Sequence, residues 1–118
     1  MPFLKISLSH SELPEESCQR LKREGSAILA EETGKSIDFV MVALDFGNSF
    51  SFGGDSSLPT AYLEVKNVGS LAPSVTAALS GRLCELLEDE LSMSARRIYL
   101  EFQESERHLW GWNGKTFA

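Results

Sequence analysis

An internal repeat over half the chain is the sequence feature that most constrains the fold. When the 118-residue sequence is shifted by 59 residues, Leu4-Lys5-Ile6 falls on Leu63-Glu64-Val65. Each half, roughly residues 1–59 and 60–118, has the pattern strand, helix, strand, and crossovers of this length join parallel strands with right-handed sense. The repeat therefore predicts one α/β domain over residues 1–118, with two strand-helix-strand units forming one sheet and both helices on one face.

Hydrophobic spacing and turn residues place the individual elements. Strands are expected at Phe3–Leu8, Phe39–Leu44, 60–68 and Ile98–Gln103. Helices are expected between Pro14 and Gly34 and over Pro73–Leu91, with a loop from Gly47 to Ser57 and a hairpin around Asn113-Gly114. A strand-helix-strand pattern also recurs by chance in α/β chains, so duplication of an ancestral half is a separate hypothesis.

The continuous apolar run Phe39–Leu44 predicts a strand in the middle of the sheet that is covered on both faces. With both helices on one face, the other face lacks cover within the chain. We therefore expect that face to pack against further copies of the chain in a closed homo-oligomer.

Composition narrows the function classes. A formal charge of −6 and a pI near 4.9 disfavour binding to nucleic acid or to anionic membranes. No apolar run is long enough to span a bilayer and no signal peptide opens the chain, so we expect a soluble cytoplasmic protein, or one secreted without a signal peptide. Cys18 and Cys84 fall in predicted helices as small buried hydrophobes, and His10 and His108 lack partners at metal-ligand spacing.

The first residues contain a candidate base. The small residue behind Met1 favours removal of the methionine, which would leave Pro2 as an amino-terminal secondary amine. A free α-amino group has a reference pKa of about 7.7–8.0, close to the range that suits proton transfer. Taken alone, Pro2 fits better as the rigid start of an ordinary strand, and the interpretation as a base depends on support from other residues.

Short segments spread over the whole chain carry a family resemblance. They are, in chain order, Met1-Pro2-Phe3, Thr33-Gly34-Lys35, Phe52-Gly53-Gly54, Val68-Gly69, Arg97-Ile98-Tyr99 and Gly111-Trp112-Asn113-Gly114-Lys115-Thr116-Phe117-Ala118. By the order and spacing of these segments the chain resembles the macrophage migration inhibitory factor and D-dopachrome tautomerase family, within the tautomerase superfamily. The resemblance implies a homotrimer with active sites between subunits.

The same resemblance implies roles for individual residues. Pro2 would be the catalytic base, and Lys35 would bind a substrate carboxylate and help to keep Pro2 unprotonated. The backbone of Val68 would orient the substrate. Tyr99 from the adjacent subunit, together with Trp112 and Phe117, would form aromatic walls that exclude water.

Three departures from the family pattern affect the expected chemistry. Glu101 replaces an asparagine and Trp110 replaces a small valine, so the substrate pocket should be narrower and more acidic. Thr60 and Leu63 occupy the places of the family's Cys-x-x-Cys, so thiol oxidoreductase activity of that motif is not expected.

The resemblance predicts an isomerase, a keto–enol tautomerase that acts on phenylpyruvate-like 2-oxo acids without a cofactor. The alternative is a cytokine-like signalling or binding protein of the same fold, with a protein receptor and a vestigial pocket. A second enzymatic alternative, hydration or decarboxylation of a three-carbon acid, would call for a pair of pocket arginines that the sequence does not identify. The tautomerase hypothesis requires removal of Met1, because otherwise the Pro2 nitrogen is part of a peptide bond.

Overall fold

The computed structural model describes all residues from Met1 to Ala118. A four-stranded sheet has the order β2-β1-β3-β4, with β1 at Pro2–Leu8, β2 at Met41–Asp45, β3 at Ala61–Val68 and β4 at Ile98–Ser105. Two helices, α1 (Glu15–Thr33) and α2 (Pro73–Leu91), cross over it. Short 3₁₀ turns lie at Ile37–Phe39, Ala95–Arg97 and Arg107–Leu109, and a hairpin of β5 (Gly111–Trp112) and β6 (Lys115–Thr116) ends the chain.

The topology confirms the two predicted units. Strands β1 and β2 are parallel, as are β3 and β4, and the two units meet where β1 pairs antiparallel with β3. Inward-facing residues of the sheet and both helices form one hydrophobic core, in which Leu4, Leu63 and Leu87 are fully buried. The sheet is thus mixed, with α1 and α2 together on one face.

Helix α1 shows how the local sequence sets the position of the chain that follows it. Gly25 lies where α1 crosses β1, and a Cβ on this residue would come within 3.1 Å of the Leu4 side chain. The helix ends at Gly34, whose φ of 70° is left-handed and favours glycine. The predicted helix bounds are confirmed, and Lys35 follows directly from the helix end.

The prediction for the strand at Phe39–Leu44 was wrong in two respects. The strand begins at Met41, because Phe39 belongs to a 3₁₀ turn that Ser36 caps by accepting a hydrogen bond from the Asp38 amide. The strand also lies at the edge of the sheet rather than in the middle. The apolar residues of this strand are not all covered: Val42 packs against the core, whereas Met41 is exposed.

The face of the sheet away from the helices is polar at its centre and apolar at its margins. Lys5 and Glu64 lie opposite each other on the central strands. Met41 on β2 is 66% exposed and Tyr99 on β4 is 65% exposed. Strand β4 alternates in polarity, whereas β2 is apolar on both sides over Met41–Leu44. Neither helix is long and apolar enough to cross a membrane.

The segment predicted as a loop has a definite anchor. Arg97 is 7% exposed and donates hydrogen bonds to backbone carbonyls that include those of Asp55 (2.7 Å) and Phe52 (3.3 Å). Its guanidinium also donates to the Thr60 hydroxyl at 2.8 Å. These bonds tie the loop to the end of the sheet where β4 begins.

Candidate active site

Pro2 begins β1 at the open end of the sheet. It is buried, and it lies directly opposite Asn67 near the end of β3. Because β1 and β3 are antiparallel, the amino terminus of the chain meets the turn that leaves β3 at Val68 and Gly69. The topology of the central strands therefore brings the predicted base next to the predicted backbone contact at Val68.

Lys35 lies at the same end, held between the last turn of α1 and the 3₁₀ turn at Ile37–Phe39. Its ammonium group donates a hydrogen bond to the Val68 carbonyl at 3.2 Å. A cavity of about 280 Å³ opens beside it, lined by Met1, Lys35, Val68, Gly69, Arg107 and Phe117. We call this space the cationic cavity, since Lys35 and Arg107 are its charged residues.

The electrostatics of this end favour an uncharged amine. Burial lowers the pKa of the Met1 α-amino group below its usual value, and the positive charge of Lys35 lowers it further. Both causes act on the charged form, which loses hydration and is repelled by a neighbouring cation. A basic nitrogen at this position is therefore biased towards its proton-accepting state.

A second cavity also borders Met1. Its volume is about 210 Å³, and its lining is mostly apolar: Met1, Asp38, Phe39, Val40, Met41, Trp110, Gly111, Trp112 and Phe117. We call it the aromatic cavity. The Phe39 and Trp112 rings meet edge to face with centroids 5.2 Å apart, and the Trp112 and Phe117 rings are parallel at 6.3 Å.

The carboxy-terminal hairpin builds this aromatic cavity. Asn113 and Gly114 have φ values of 54° and 79°, which suit a two-residue hairpin turn and confirm the predicted hairpin. The Phe117 amide donates to the Trp110 carbonyl at 3.2 Å, and Arg107 Nε donates to the Phe117 carbonyl at 2.8 Å. These bonds hold the hairpin in place and so position the side chains of Trp110, Trp112 and Phe117 around the cavity.

Met1 and Phe117 line both cavities, so the two spaces meet at the amino-terminal residue. Of the predicted site residues, Lys35, Val68, Trp110, Trp112 and Phe117 all lie around this point. Pro2 lies immediately behind Met1 in the chain. Six of the eight predicted residues are thus gathered at one end of a single chain.

Tyr99 and Glu101 are not part of this group. Glu104 is the β4 residue level with Pro2, and from strand spacing and rise Glu101 lies about 14 Å from Pro2. By the same geometry Tyr99 lies about 19 Å away. Tyr99 packs edge to face on Phe52 at 5.0 Å, and Glu101 accepts a hydrogen bond from the Tyr62 hydroxyl at 2.8 Å, which raises the pKa of Tyr62.

The structure adds three residues that the sequence analysis did not place at the site. Phe39 and Asp38 line the aromatic cavity, and Arg107 lines the cationic cavity. Phe39 was assigned to a strand because it begins an apolar run, although Ser36 two residues before Asp38 is a capping signal that could have separated it. No local pattern in the sequence points to Arg107.

Comparison with known proteins identifies the family of the chain. The sequence model of the macrophage migration inhibitory factor family matches residues 1–118. A macrophage migration inhibitory factor homolog from Brugia malayi is 30% identical over 119 residues, which cover 100% of both chains.

Solved structures share the fold over nearly the full length. The macrophage migration inhibitory factor homologue from Prochlorococcus marinus is 37% identical with a TM-score of 0.90, covering 98% of this chain and 99% of that one. Pt0534, solved after inactivation by 2-oxo-3-pentynoate, is 16% identical with a TM-score of 0.86 over 98% of this chain and 95% of its own, a likeness of fold alone. The chain therefore belongs to the macrophage migration inhibitory factor family.

Proposed function

We propose that this protein is a keto–enol tautomerase of phenylpyruvate-like 2-oxo acids, with Pro2 as the base. The active form arises when the Met1–Pro2 peptide bond is hydrolysed: water is consumed, methionine is released, and the Pro2 nitrogen becomes a secondary amine. Membership in the family supports tautomerase or migration inhibitory factor-like function in general. The substrate class and the role of Pro2 are the finer parts of the proposal.

The observation that carries the proposal is the position of Met1 between two unlike cavities. Removal of Met1 would join the cationic and aromatic cavities into one cleft with the Pro2 nitrogen at their junction. An aryl 2-oxo acid has a carboxylate at one end and a ring at the other. Such a substrate would place its carboxylate near Lys35 and Arg107, its ring near Trp112, and its reacting carbon near Pro2.

The chemistry follows from these positions. The neutral Pro2 amine removes a proton from the carbon next to the substrate carbonyl, and the C–H bonding electrons form the carbon–carbon double bond of an enolate. The resulting ammonium then returns the proton to the enolate oxygen, which gives the enol and restores the amine. Lys35 stabilises the negative charge that develops. No atom or electron is gained or lost overall, so the proposed reaction needs no oxidant, reductant or group donor.

The fold comparison adds chemical support. Pt0534, which shares the fold, was inactivated by 2-oxo-3-pentynoate, and that compound is itself a 2-oxo acid. The compound that inactivated Pt0534 thus belongs to the same 2-oxo acid class as the proposed substrates.

We also propose that the active site is completed in a homotrimer. Each outer strand of the sheet has one edge without a partner strand in the chain, and the exposed Met41 and Tyr99 lie on opposite outer strands. A neighbouring copy that brings its β4 to the β2 side of the cleft would supply Tyr99 and Glu101, which are remote from Pro2 in one chain. Light scattering coupled to gel filtration should give three times the chain mass, and a monomer with full activity would contradict this part.

The direct test measures conversion of phenylpyruvate enol to ketone by three forms: processed wild type, processed Pro2→Gly, and a wild-type chain that keeps Met1. The third form is obtained from a fusion cleaved immediately before Met1, and mass spectrometry verifies each amino terminus. We expect a loss of at least about 100-fold in the second and third forms, since general base catalysis contributes about 10²–10⁴-fold. Equal rates in all three would exclude Pro2 as the base.

A further inference from the structure

Asn67 is an unusual residue for its position. It is 1% exposed, and it lies on the helix side of β3 among core residues such as Val65 and Leu63. Its amide nitrogen donates to the Gly69 carbonyl at 3.4 Å, while its Oδ1 has no hydrogen-bond partner in the chain. A buried amide oxygen without a partner is costly, so its presence calls for a physical reason.

The orientation of the amide group is defined by its neighbours. If nitrogen and oxygen were exchanged, Oδ1 would face the Gly69 carbonyl oxygen, and two acceptors would lie in contact. The favoured orientation therefore leaves Oδ1 directed away from Gly69. Asn67 is also directly opposite Pro2 on the antiparallel strands, where facing side chains share one side of the sheet with Cβ atoms about 4.5–5.5 Å apart.

The Pro2 nitrogen has no hydrogen while it is joined to Met1, so it cannot donate to Asn67. Once Met1 is removed, the same nitrogen carries one N–H as a neutral amine and two as an ammonium. Processing thus creates a donor beside a buried acceptor that has no other partner. We propose that Oδ1 of Asn67 accepts a hydrogen bond from the processed Pro2 amine and so directs the nitrogen lone pair into the cleft.

This inference rests on the proposed function and makes Asn67 a positioning residue for the base. Fixing the N–H on the core side leaves the lone pair, or the second N–H of the ammonium, on the side of the two cavities. The other charged groups around this nitrogen are Lys35 and Arg107 in the cationic cavity and Asp38 in the aromatic cavity. Because Asn67 is uncharged, it would fix the direction of the Pro2 lone pair. Its effect on the protonation of Pro2 would be smaller than that of these charged neighbours.

The first test measures the pKa of the Pro2 amine in the processed protein, from the nitrogen-15 shift of Pro2. Asn67→Leu should lower this pKa, because an acceptor of the ammonium is lost. Asn67→Asp should raise it, because the acceptor becomes an anion. A purely structural role would leave the pKa unchanged or shift it in one direction for both variants, and either result would overturn the proposal.

Kinetics on phenylpyruvate provide a second readout. Asn67→Leu should lower kcat roughly tenfold with KM within about twofold, since the lone pair loses its fixed direction. Asn48→Leu is the matched control, because Asn48 also uses its amide to hold backbone, with Nδ2 donating to the Leu8 carbonyl at 3.0 Å at the other end of the sheet. That variant should destabilise the protein without changing the pKa of the amine.

A stability comparison covers the case in which Asn67→Leu folds poorly. In the form that keeps Met1, the substitution removes a buried acceptor without a partner and also the 3.4 Å hydrogen bond to the Gly69 carbonyl, two opposing effects, so the urea midpoint should change little. In the processed form it removes the hydrogen bond from Pro2 as well, so the midpoint should fall. The same change in both forms would overturn the proposal.

The outcomes separate this inference from the proposed function. If processed wild type has no tautomerase activity but its amine pKa responds to Asn67 as described, the hydrogen bond stands and the proposed function fails. If turnover is normal and the pKa of the Pro2 amine is the same in both Asn67 variants as in wild type, the proposed function stands and the role of Asn67 is rejected.

Discussion

The two ends of the sheet are built on the same backbone plan, yet only one of them is open. At each end a helix finishes with a left-handed residue, Gly34 (φ 70°) or Ser92 (φ 53°). A serine then caps a 3₁₀ turn through a hydrogen bond from a backbone amide. The residue between the helix end and the capping serine is Lys35 in the first half and Met93 in the second.

The side chains at these matched positions have opposite surroundings. Lys35 borders the cationic cavity, whereas Met93 is 2% exposed and belongs to the core. The first 3₁₀ turn ends in Phe39, which lines the aromatic cavity. The second ends in Arg97, whose hydrogen bonds hold the loop between β2 and β3 over that end of the sheet. A repeated backbone thus supplies two equivalent corners, and the loop held by Arg97 leaves only the Lys35 corner available for a site.

Exchanging the two matched residues should have its largest effect on stability in the second half of the chain, at Met93. Met93→Lys should lower the free energy of unfolding by about 4 kcal/mol, because an ammonium would enter the core. Burial would lower the pKa of the new lysine below its unfolded value of about 10.4, so the folded state binds fewer protons and stability should rise with pH up to that value.

Urea unfolding of Met93→Lys between pH 7 and 10 measures both effects. Met93→Leu is the control, and it should cost less than about 1.5 kcal/mol because it conserves volume. A pH-independent loss in the lysine variant would show that the ammonium reaches solvent and that the two corners are less different than the burial of Met93 indicates.

Removing the Arg97 side chain, which holds the loop over the other end of the sheet, should have the next largest effect on stability. Arg97→Ala leaves the buried Thr60 hydroxyl and several partly buried carbonyls without this donor, and we expect a loss of about 3 kcal/mol in unfolding free energy. The exposed neighbour Arg96 makes a matched control, whose alanine variant should stay within about 0.5 kcal/mol. Equal effects of the two substitutions would mean that the loop is held by other contacts.

The reciprocal exchange at the open corner should affect catalysis more than folding. Lys35→Met should reduce kcat/KM on phenylpyruvate roughly 10- to 100-fold, the value of one charged hydrogen bond, with stability changed by less than about 1 kcal/mol. The positive charge of Lys35 lowers the pKa of the Met1 α-amino group, and we expect the same effect on the Pro2 amine that processing creates. Its removal should therefore raise that pKa and move the acid limb of the pH–rate profile to higher pH.

A pH–rate profile of the processed protein measures this shift. Lys115→Met is the control, since Lys115 is an exposed lysine on the hairpin that lines neither cavity. An acid limb that stays in place in Lys35→Met, or moves equally in both variants, would remove Lys35 from the electrostatics of the base.

Local patterns predicted the elements of the fold well, because periodicity and capping residues act over a few positions. They placed both helices and the hairpin at Asn113-Gly114, and the resemblance pointed to Lys35 and Trp110. The pattern failed at Phe39–Leu44, since an apolar run has the same appearance whether its residues face a core, a cavity or solvent. Asn67 acquires its place only from strand register, and Arg107 only from the turn after β4 and its bond to Phe117, and both depend on how distant segments meet.

The smallest expected effects compare the two helices through their internal glycines. Gly25 on α1 faces β1, and an alanine there would bring its Cβ within 3.1 Å of Leu4, so Gly25→Ala should cost about 1 kcal/mol. Gly81 on α2 has open space around its Cβ position, and Gly81→Ala should stabilise by about 0.5–1 kcal/mol because alanine is the better helix former. Urea unfolding of each variant gives these values.

If the cost at Gly25 comes from contact with Leu4, combining Gly25→Ala with Leu4→Val should cost less than the sum of the single changes, since the shorter side chain frees the space. An additive result would place the strain of the α1 crossing elsewhere and would remove close approach as the reason for glycine at this position.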